Sequence, residues 1–286
     1  MRVSRRGVLV GGAVAVGGVV AAAGLVEYDV LPGRSTAYDV LGLNGEAGVV
    51  PDTPGGPIRR GTLRGADWVI IEPPEPEPGL PVALALHGAR SDAETWVSRL
   101  HLDRFLAASG QRFALAAIDG GPSSYWHPRA DGSDTGALVL SGLLPLLASR
   151  GYDVSRPGFL GWSMGGYGAM LLATERVDAG LPVGPVLAVS PAVWDDLEDA
   201  PAGAFDDAAD FEDYGMFDRR DLLDGLDVRV DCGRGDPLFH QVTDFTDGQP
   251  MELHIEPGAH EPAYWTRVLP DQLTWLGDRL SATGAP

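Results

Sequence analysis

The segment "GFLGWSMGGYGAM", residues 158–170, carries the clearest indication of fold class in the chain. It reads as a short apolar strand, a turn crowded with glycine, and a helix that begins at Met164. Ser163 lies in the turn, between glycines at positions 161 and 165. Bulkier residues at those positions would clash with neighbouring backbone, and the turn leaves the serine oxygen at a helix N-terminus. Ser163 is therefore either an activated nucleophile or an ordinary helix-capping serine, and the rest of the sequence has to decide.

Short apolar runs alternate with longer segments of helical spacing along the chain. The runs predicted as strands are 68–71, 82–86, 113–118, 158–162, 185–189, 228–232 and 252–256. The segments predicted as helices are 93–108, 137–150, 164–176 and 263–280. Near-continuous apolar strands that alternate with amphipathic helices predict an α/β fold, with a mostly parallel central sheet and helices on both faces.

Residues 191–227 break this rhythm. They carry 13 acidic residues and only two basic ones, and they include five aromatic residues that argue against disorder. We expect a short acidic excursion over the top of the sheet, without a long apolar helix. The alternative is a solvated acidic loop with no role in function.

The N-terminal residues 1–26 predict an export signal. Arg5 and Arg6 follow Ser4 and precede an uncharged segment, residues 7–26, with a small-residue "AAA" at 21–23. This pattern is typical of a twin-arginine signal that is cleaved after export across the cytoplasmic membrane. The alternative is a retained anchor, since twenty residues can span a bilayer, and it would be the only membrane contact. Residues 27–57 then form a lead-in, and 58–286 one folded domain.

Composition excludes several classes of function. The net charge of −19 argues against a nucleic-acid surface. All 21 basic residues are arginine, so a P-loop lysine, a pyridoxal-phosphate Schiff base and a Ser-Lys dyad are excluded. Cys232 is the only cysteine, which rules out an intrachain disulfide and a thiolate metal cluster, and its apolar surroundings predict burial.

Three further loops follow predicted strands and should open at the same sheet edge as Ser163. They are 87–90 ("HGAR"), 233–236 ("GRGD") and 257–260 ("PGAH"). A serine hydroxyl needs an imidazole to take its proton and a carboxylate to orient that imidazole. Asp236 and His260 follow Ser163 in the order Ser, Asp, His. We therefore predict that these three residues form a catalytic triad.

The other histidines and aspartates fit these roles less well. His254 alternates within a strand and should be a packed core residue, whereas His101 and His240 belong to helices at the surface. His87 should order backbone. Among the acids, Asp231 lies inside a strand, and the remaining candidates, Asp244 and Asp247, fall in a polar stretch that should be exposed.

An oxyanion hole needs two N–H donors. The backbone N–H of Met164 is one candidate, and that of Ala89 in the "HGAR" loop is the other, although this loop could also be a simple tight turn. Candidate substrate-pocket residues are Arg90, Trp126, His127, Asp134 and Trp194.

The segments "LHGAR", "GWSMGGYGAM", "DCGRGDPLF" and "GAHEPAYWTRVLPDQLTWL" together resemble the esterase D family of α/β-hydrolases. That family includes S-formylglutathione hydrolases, feruloyl-type esterases and secreted mycolyltransferases, and the resemblance spans roughly residues 58 to 282. It implies the α/β-hydrolase fold, the same triad and the same oxyanion donors.

Three functions follow as expectations. The first is an exported serine esterase that hydrolyses a small-molecule or glycolipid ester through an acyl-enzyme, with neither a cofactor nor a metal. The second is a secreted acyltransferase that passes the acyl group to a sugar or lipid hydroxyl. The third is a non-catalytic binding protein on the same fold.

Overall fold

The computed structural model of the chain describes residues 33–282, and its centre is an open sheet of eight strands. The strands are β1 (Ile58–Leu63), β2 (Ala66–Ile71), β3 (Pro81–Leu86), β4 (Ala114–Ile118), β5 (Asp153–Trp162), β6 (Val186–Val189), β7 (Val228–Gly233) and β8 (Glu252–Glu256). Their order across the sheet is β1-β2-β4-β3-β5-β6-β7-β8. Strand β2 is antiparallel to both of its neighbours, and β3 to β8 are parallel. The predicted mostly parallel sheet is confirmed.

Each of the seven predicted strands corresponds to an observed one. Strand β1 was not predicted, because its sequence "IRRGTL" is polar and its side chains are half exposed at the sheet edge. Strand β5 is also longer than predicted, since it begins at Asp153, where its first residues are still partly exposed.

One helix precedes the first strand, one follows the last strand, and the others lie in the connections between strands. They are α1 (Arg34–Leu41), α2 (Thr95–Ser98), α3 (Leu102–Ser109), α4 (Thr135–Leu138), α5 (Leu144–Ser149), α6 (Met164–Asp178), α7 (Ala208–Tyr214), α8 (Met216–Arg219), α9 (Phe239–Thr246) and α10 (Pro262–Ser281). A π-helical segment, Val139–Leu143, joins α4 to α5. The helices within residues 33–282 include none that is both long enough and apolar enough to span a bilayer.

One predicted helix is interrupted. Residues 93–108 form two short helices, α2 and α3, with His101 between them. His101 has φ 51°, a left-handed backbone conformation that cannot continue a right-handed helix. It therefore precedes the first turn of α3 and does not lie within a helix.

The sheet has a hydrophobic core on each face, as predicted. Successive residues of β3 alternate between the two cores: Val82 and Leu84 pack on one side and Ala83 on the other. Helix α6 covers the first face, and α3 and α10 cover the second. This arrangement leaves the loops at the carboxyl ends of the parallel strands uncovered by either layer, which is where the candidate residues cluster.

The lead-in and the acidic excursion both carry structure. Within residues 33–57, helix α1 precedes an irregular segment, and the segment 191–227 contains α7, α8 and two 3₁₀ turns. Arg129 ties the excursion to the loop after β4, because it pairs with Asp206 at 2.7 Å and donates to the Ala204 carbonyl at 3.0 Å. The predicted export signal, residues 1–26, lies outside the described residues.

Candidate active site

Ser163 occupies a strained turn between β5 and α6. Its backbone has φ 55° and ψ −122°, a conformation that a non-glycine residue adopts only when the surrounding structure enforces it. The Ser163 N–H donates to the Val189 carbonyl at 2.9 Å, and its carbonyl accepts from Tyr167 N–H at 3.1 Å. These bonds hold the serine at the carboxyl edge of the sheet, on the first turn of a buried helix.

Two glycines allow the turn to form. A Cβ on Gly161 would overlap the Gly165 backbone, and a Cβ on Gly165 would overlap the Leu86 carbonyl. The N-terminus of α6 therefore packs directly against the end of β3. This contact brings Met164 beside the loop that begins at His87.

His87 holds the loop after β3. Its Nε2 accepts the Gly120 N–H at 2.9 Å, so Nδ1 carries the ring proton and donates to the Gly88 carbonyl at 2.9 Å. Burial lowers the pKa of His87, which keeps the imidazole neutral. His87 thus orders backbone, as the sequence predicted.

The two backbone N–H groups predicted as oxyanion donors are those of Ala89 and Met164. Met164 is the first residue of α6, where a backbone N–H has no acceptor within the helix. Within residues 33–282, the Ala89 N–H makes no backbone–backbone hydrogen bond, whereas that of the next residue, Arg90, donates to the Pro122 carbonyl at 2.9 Å.

Asp236 and His260 are in direct contact. Asp236 is fully buried, and its Oδ2 accepts a hydrogen bond from His260 Nδ1 at 2.9 Å. Its Oδ1 accepts the Leu238 N–H at 2.8 Å. A carboxylate can only accept, so the His260 proton is on Nδ1 and Nε2 is the nitrogen that can take a proton from another group.

The loops that carry these two residues are joined by backbone hydrogen bonds. Gly235 N–H donates to the Gly258 carbonyl at 2.7 Å, and Arg234 N–H donates to the Glu256 carbonyl at 2.7 Å. A Cβ at Gly233 would overlap the Gly258 backbone, so the close approach of the two loops requires glycine there.

The other acids do not compete for this role. Asp231 is buried within β7, where Arg229 binds both of its oxygens at 2.7 and 3.0 Å and Gln272 donates to Oδ2 at 2.7 Å. Asp244 and Asp247 are exposed, as predicted.

The structure contradicts the prediction for His254 and shows a side-chain contact for His240. His254 was expected in the core, but its side chain is 42% exposed. That prediction is wrong because β8 is an edge strand whose residues are covered on neither face as completely as those of the central strands. His240, in α9, contacts the Arg34 guanidinium at 3.3 Å.

Trp265, on the first turn of α10, is a neighbour of His260 that the sequence did not predict. Its ring meets that of His260 edge to face, with centroids 5.4 Å apart. Trp265 also packs against Trp162 at 5.5 Å, which in turn contacts Trp96 at 4.3 Å. The signal was its position five residues after His260, although only the fold shows that the two rings touch.

The pocket candidates occupy different environments. Arg90 is exposed in the loop that follows His87, and its backbone φ is 58°. Asp134 is also exposed, and it caps α4 by accepting the Ala137 N–H at 2.7 Å. The other three, Trp126, His127 and Trp194, are buried. None of the five is among the residues that line a cavity of 610 Å³, which are 119–124, 129–131, 133, 135 and 206. It adjoins the Arg90 loop through Pro122.

Metal-binding chemistry has no obvious location in the described part of the chain. Residues 33–282 contain no group of three or more histidine, cysteine or acidic side chains that could hold a metal ion. Cys232 is buried, as predicted, and burial raises the pKa of its thiol well above the ordinary value.

Comparison with known proteins shows the fold. No protein-family model matches the chain, and no curated protein matches its sequence. Among solved structures, an S-formylglutathione hydrolase from Agrobacterium tumefaciens is 16% identical, with a TM-score of 0.65 over 78% of this chain and 95% of its own. The fluorophosphonate-binding serine hydrolase F of Staphylococcus aureus is 18% identical, with a TM-score of 0.63 over 78% and 99%. A ferulic acid esterase is 20% identical, with a TM-score of 0.63 over 80% and 99%. The chain has the α/β-hydrolase fold, and these neighbours are consistent with the esterase D resemblance.

Proposed function

We propose that this protein is an exported serine esterase that hydrolyses carboxylic esters through an acyl-enzyme on Ser163. The observation that carries the proposal is the hydrogen bond between His260 Nδ1 and the buried Asp236, at the sheet edge where the strained turn presents Ser163. A structural serine gains nothing from such strain, whereas a nucleophile gains exposure and a helix N-terminus.

The first half of the reaction forms the acyl-enzyme. His260 Nε2 takes the Ser163 Oγ proton while Oγ attacks the ester carbonyl carbon, and the carbonyl electron pair moves to oxygen. The N–H groups of Ala89 and Met164 bind this oxyanion. As the carbonyl re-forms, the bond to the alcohol oxygen breaks, and that oxygen takes the proton from His260.

The second half repeats these steps with water. His260 takes one proton from water as the oxygen attacks the acyl carbon. The tetrahedral intermediate then collapses, the bond to Ser163 Oγ breaks, and Oγ recovers the proton from His260. Asp236 holds the imidazole in the required tautomer throughout and stabilises the transient positive charge.

The substrate we propose is a small-molecule or glycolipid ester. Solved neighbours include an S-formylglutathione hydrolase and a ferulic acid esterase, and we take an ester substrate from that likeness. The cavity beside the Arg90 loop offers space for one part of such a substrate. The non-catalytic alternative is not favoured, since a binding protein does not need the Asp236–His260 pair.

Covalent labelling tests the mechanism. A fluorophosphonate probe should label the protein at Ser163, and Ser163→Ala should abolish this labelling. The same substitution should lower the turnover rate of short p-nitrophenyl esters by several orders of magnitude. Ser155→Ala is the matched control, because Ser155 is exposed at the opposite end of the same strand. Normal turnover by the Ser163→Ala variant would refute the proposed mechanism.

Export is a separate part of the proposal and rests on the sequence of residues 1–26. We expect the protein outside the cytoplasm of its host when the full chain is expressed. Replacing Arg5 and Arg6 together by lysine should retain it inside the cell. Unchanged export of that double variant would contradict the twin-arginine route.

A further inference from the structure

The lead-in packs across both loops that carry the Asp236–His260 pair. We call residues 34–48 the strap. One end of it contacts the loop after β7, here the acid loop (residues 233–238), and the other contacts the loop after β8 and the start of α10, here the histidine loop (residues 257–263). The strap is distant in sequence from both, so each contact is a tertiary one.

At the acid loop, Arg34 is the main contact. Its side chain is buried, and its Nε donates to the Arg234 carbonyl at 2.5 Å, two residues before Asp236. The guanidinium also lies 4.1 Å from the centre of the Phe239 ring. The Phe239 N–H donates to the Asp236 carbonyl at 3.1 Å, so Arg34 contacts the acid loop before Asp236 and the first residue of α9 after it.

The strap also closes the space around Gly235. A Cβ at this position would overlap the Asn44 Oδ1 and would lie within contact distance of the Tyr38 side chain. Gly235 donates its N–H to the Gly258 carbonyl, which joins the acid loop to the histidine loop. The strap therefore packs directly against the residue that forms this connection.

At the histidine loop, Arg267 of α10 binds three carbonyl oxygens. Its guanidinium donates to Asn44 at 3.1 Å, to Glu46 at 2.6 Å and to Pro257, the first residue of the histidine loop. Gly48 N–H donates to the Ala263 carbonyl at 3.0 Å, three residues after His260. A Cβ at Gly48 would overlap the α10 backbone, so the strap lies directly on the helix.

We propose that the strap is a positioning element that holds the acid and histidine loops in register for catalysis. Its two positioning residues are Arg34, in the strap, and Arg267 of α10, which binds the strap. Substitutions of these two residues are called the strap variants. The inference rests on the proposed function, since it assigns the strap to the same catalytic pair. The pairing of β7 with β8 ends at Gly233 and Glu256, and the rest of both loops lies beyond it. A displacement of about 1 Å between reacting groups can lower a rate by about 100-fold, so contacts that fix these loops affect turnover.

Full-chain Arg34→Ala and Arg267→Ala variants test the proposal against a matched control. The control is Arg104→Ala, because Arg104 also donates to a lead-in carbonyl, that of Thr53 at 3.4 Å, but contacts neither loop. With a soluble p-nitrophenyl ester, we expect kcat to fall about 10- to 100-fold in the strap variants, with KM changed less than about threefold. The control should keep the kcat of the wild-type protein.

Two further readouts separate positioning from a purely structural role. Kinetics are measured well below the melting temperature of each variant, and Arg267→Lys should recover part of the lost kcat, since lysine can still donate to one or two of the carbonyls. The downfield proton resonance of His260 Nδ1–H should weaken or broaden in the strap variants. Wild-type kcat in folded strap variants, or an equal loss in Arg104→Ala, would overturn the proposal.

Fluorophosphonate labelling distinguishes an error in the strap inference from an error in the esterase proposal. If the wild-type protein is not labelled by a fluorophosphonate at Ser163, the proposed function is wrong and the strap inference falls with it. If the wild-type protein is labelled and the strap variants react at the same rate, only the strap inference is wrong. Slower labelling of the strap variants at unchanged stability supports both.

Discussion

Asp236 buries its carboxylate completely and still accepts a 2.9 Å hydrogen bond from His260 Nδ1, whose side chain is 25% exposed. The buried acid therefore fixes the orientation of a histidine that is partly exposed to solvent. Its second oxygen is bound by the Leu238 N–H, so the carboxylate cannot rotate without losing a bond. In the proposed mechanism, Asp236 therefore only orients the imidazole, and His260 alone transfers protons.

Replacing Asp236 by asparagine should remove activity without unfolding the protein. The amide keeps the shape of the carboxylate but can donate to His260 Nδ1, which would stabilise the wrong tautomer. We expect kcat to fall by about 10⁴-fold, as for other triads of this type. A steady-state assay and a thermal melt of the same sample check this, and an Asp236→Asn variant with more than a tenth of wild-type kcat would contradict it.

Asp231, five residues earlier, should show the opposite behaviour. Its carboxylate forms a buried ion pair with Arg229, so Asp231→Asn leaves a buried guanidinium whose remaining ion pair is with the exposed Asp271, at 2.6 Å. We expect a loss of about 3–5 kcal/mol in the free energy of unfolding, measured by chemical denaturation, with kcat of the folded fraction close to wild type. A variant that loses kcat but keeps its stability would place Asp231 in the catalytic machinery.

The pH dependence of turnover should follow the protonation of a histidine. A general base acts only when neutral, so kcat/KM should fall as the solution is acidified below neutral pH. His87 does not account for this fall, because burial lowers its pKa and keeps it neutral in more acidic solution than an ordinary histidine. Initial rates between pH 5 and 8 with a substrate that does not ionise test the prediction, and a flat profile would exclude a histidine base.

Glu175 on α6 should make the protein less stable at alkaline than at acidic pH. Burial raises the pKa of its carboxyl to about 7 from an ordinary value of 4.5, with Asp134 and Asp178 acting in the same direction and Arg219 against it. The folded state thus holds a proton that the unfolded chain releases, and this stabilisation is lost as the pH rises from about 4.5 through about 7.

A glutamine at position 175 resembles the protonated acid at every pH. We therefore expect Glu175→Gln to melt at a higher temperature than the wild-type protein at pH 8 and at nearly the same temperature at pH 5. The exposed Glu212 on α7 provides the control, since Glu212→Gln should show no such pH-dependent difference. Equal effects of both substitutions would show that the Glu175 site is not responsible.

Hydrolysis should dominate over acyl transfer. A transferase has to shelter its acyl-enzyme from water and position an acceptor hydroxyl. The excursion 191–227 contains only short helices, α7 and α8, and is anchored at Arg129, so it offers no long apolar helix to cover an acyl chain. Millimolar glycerol or trehalose should therefore change product release little, as followed by mass spectrometry. Faster turnover with an acylated polyol among the products would favour the acyltransferase.

The local sequence determined most of the sheet and the nucleophile turn. Strands such as 82–86 and 228–232 are apolar runs whose conformation depends on their own residues and on burial of both faces. The turn at Ser163 depends on Gly161 and Gly165, which are adjacent to it in sequence. Because parallel strands end at a common edge, the order Ser163, Asp236, His260 could also be interpreted from the sequence alone.

Contacts between groups that are distant in sequence can be seen only in the tertiary structure. Nothing near Arg34 in the sequence indicates that it meets the Arg234 carbonyl 200 residues away, and the Trp265 ring reaches His260 only because of the direction in which α10 leaves the sheet. His254 is exposed because β8 is an edge strand, a property of strand order that alternation along one strand does not contain. Contacts of this kind depend on where separate segments pack in space, and local propensity carries no information about that placement.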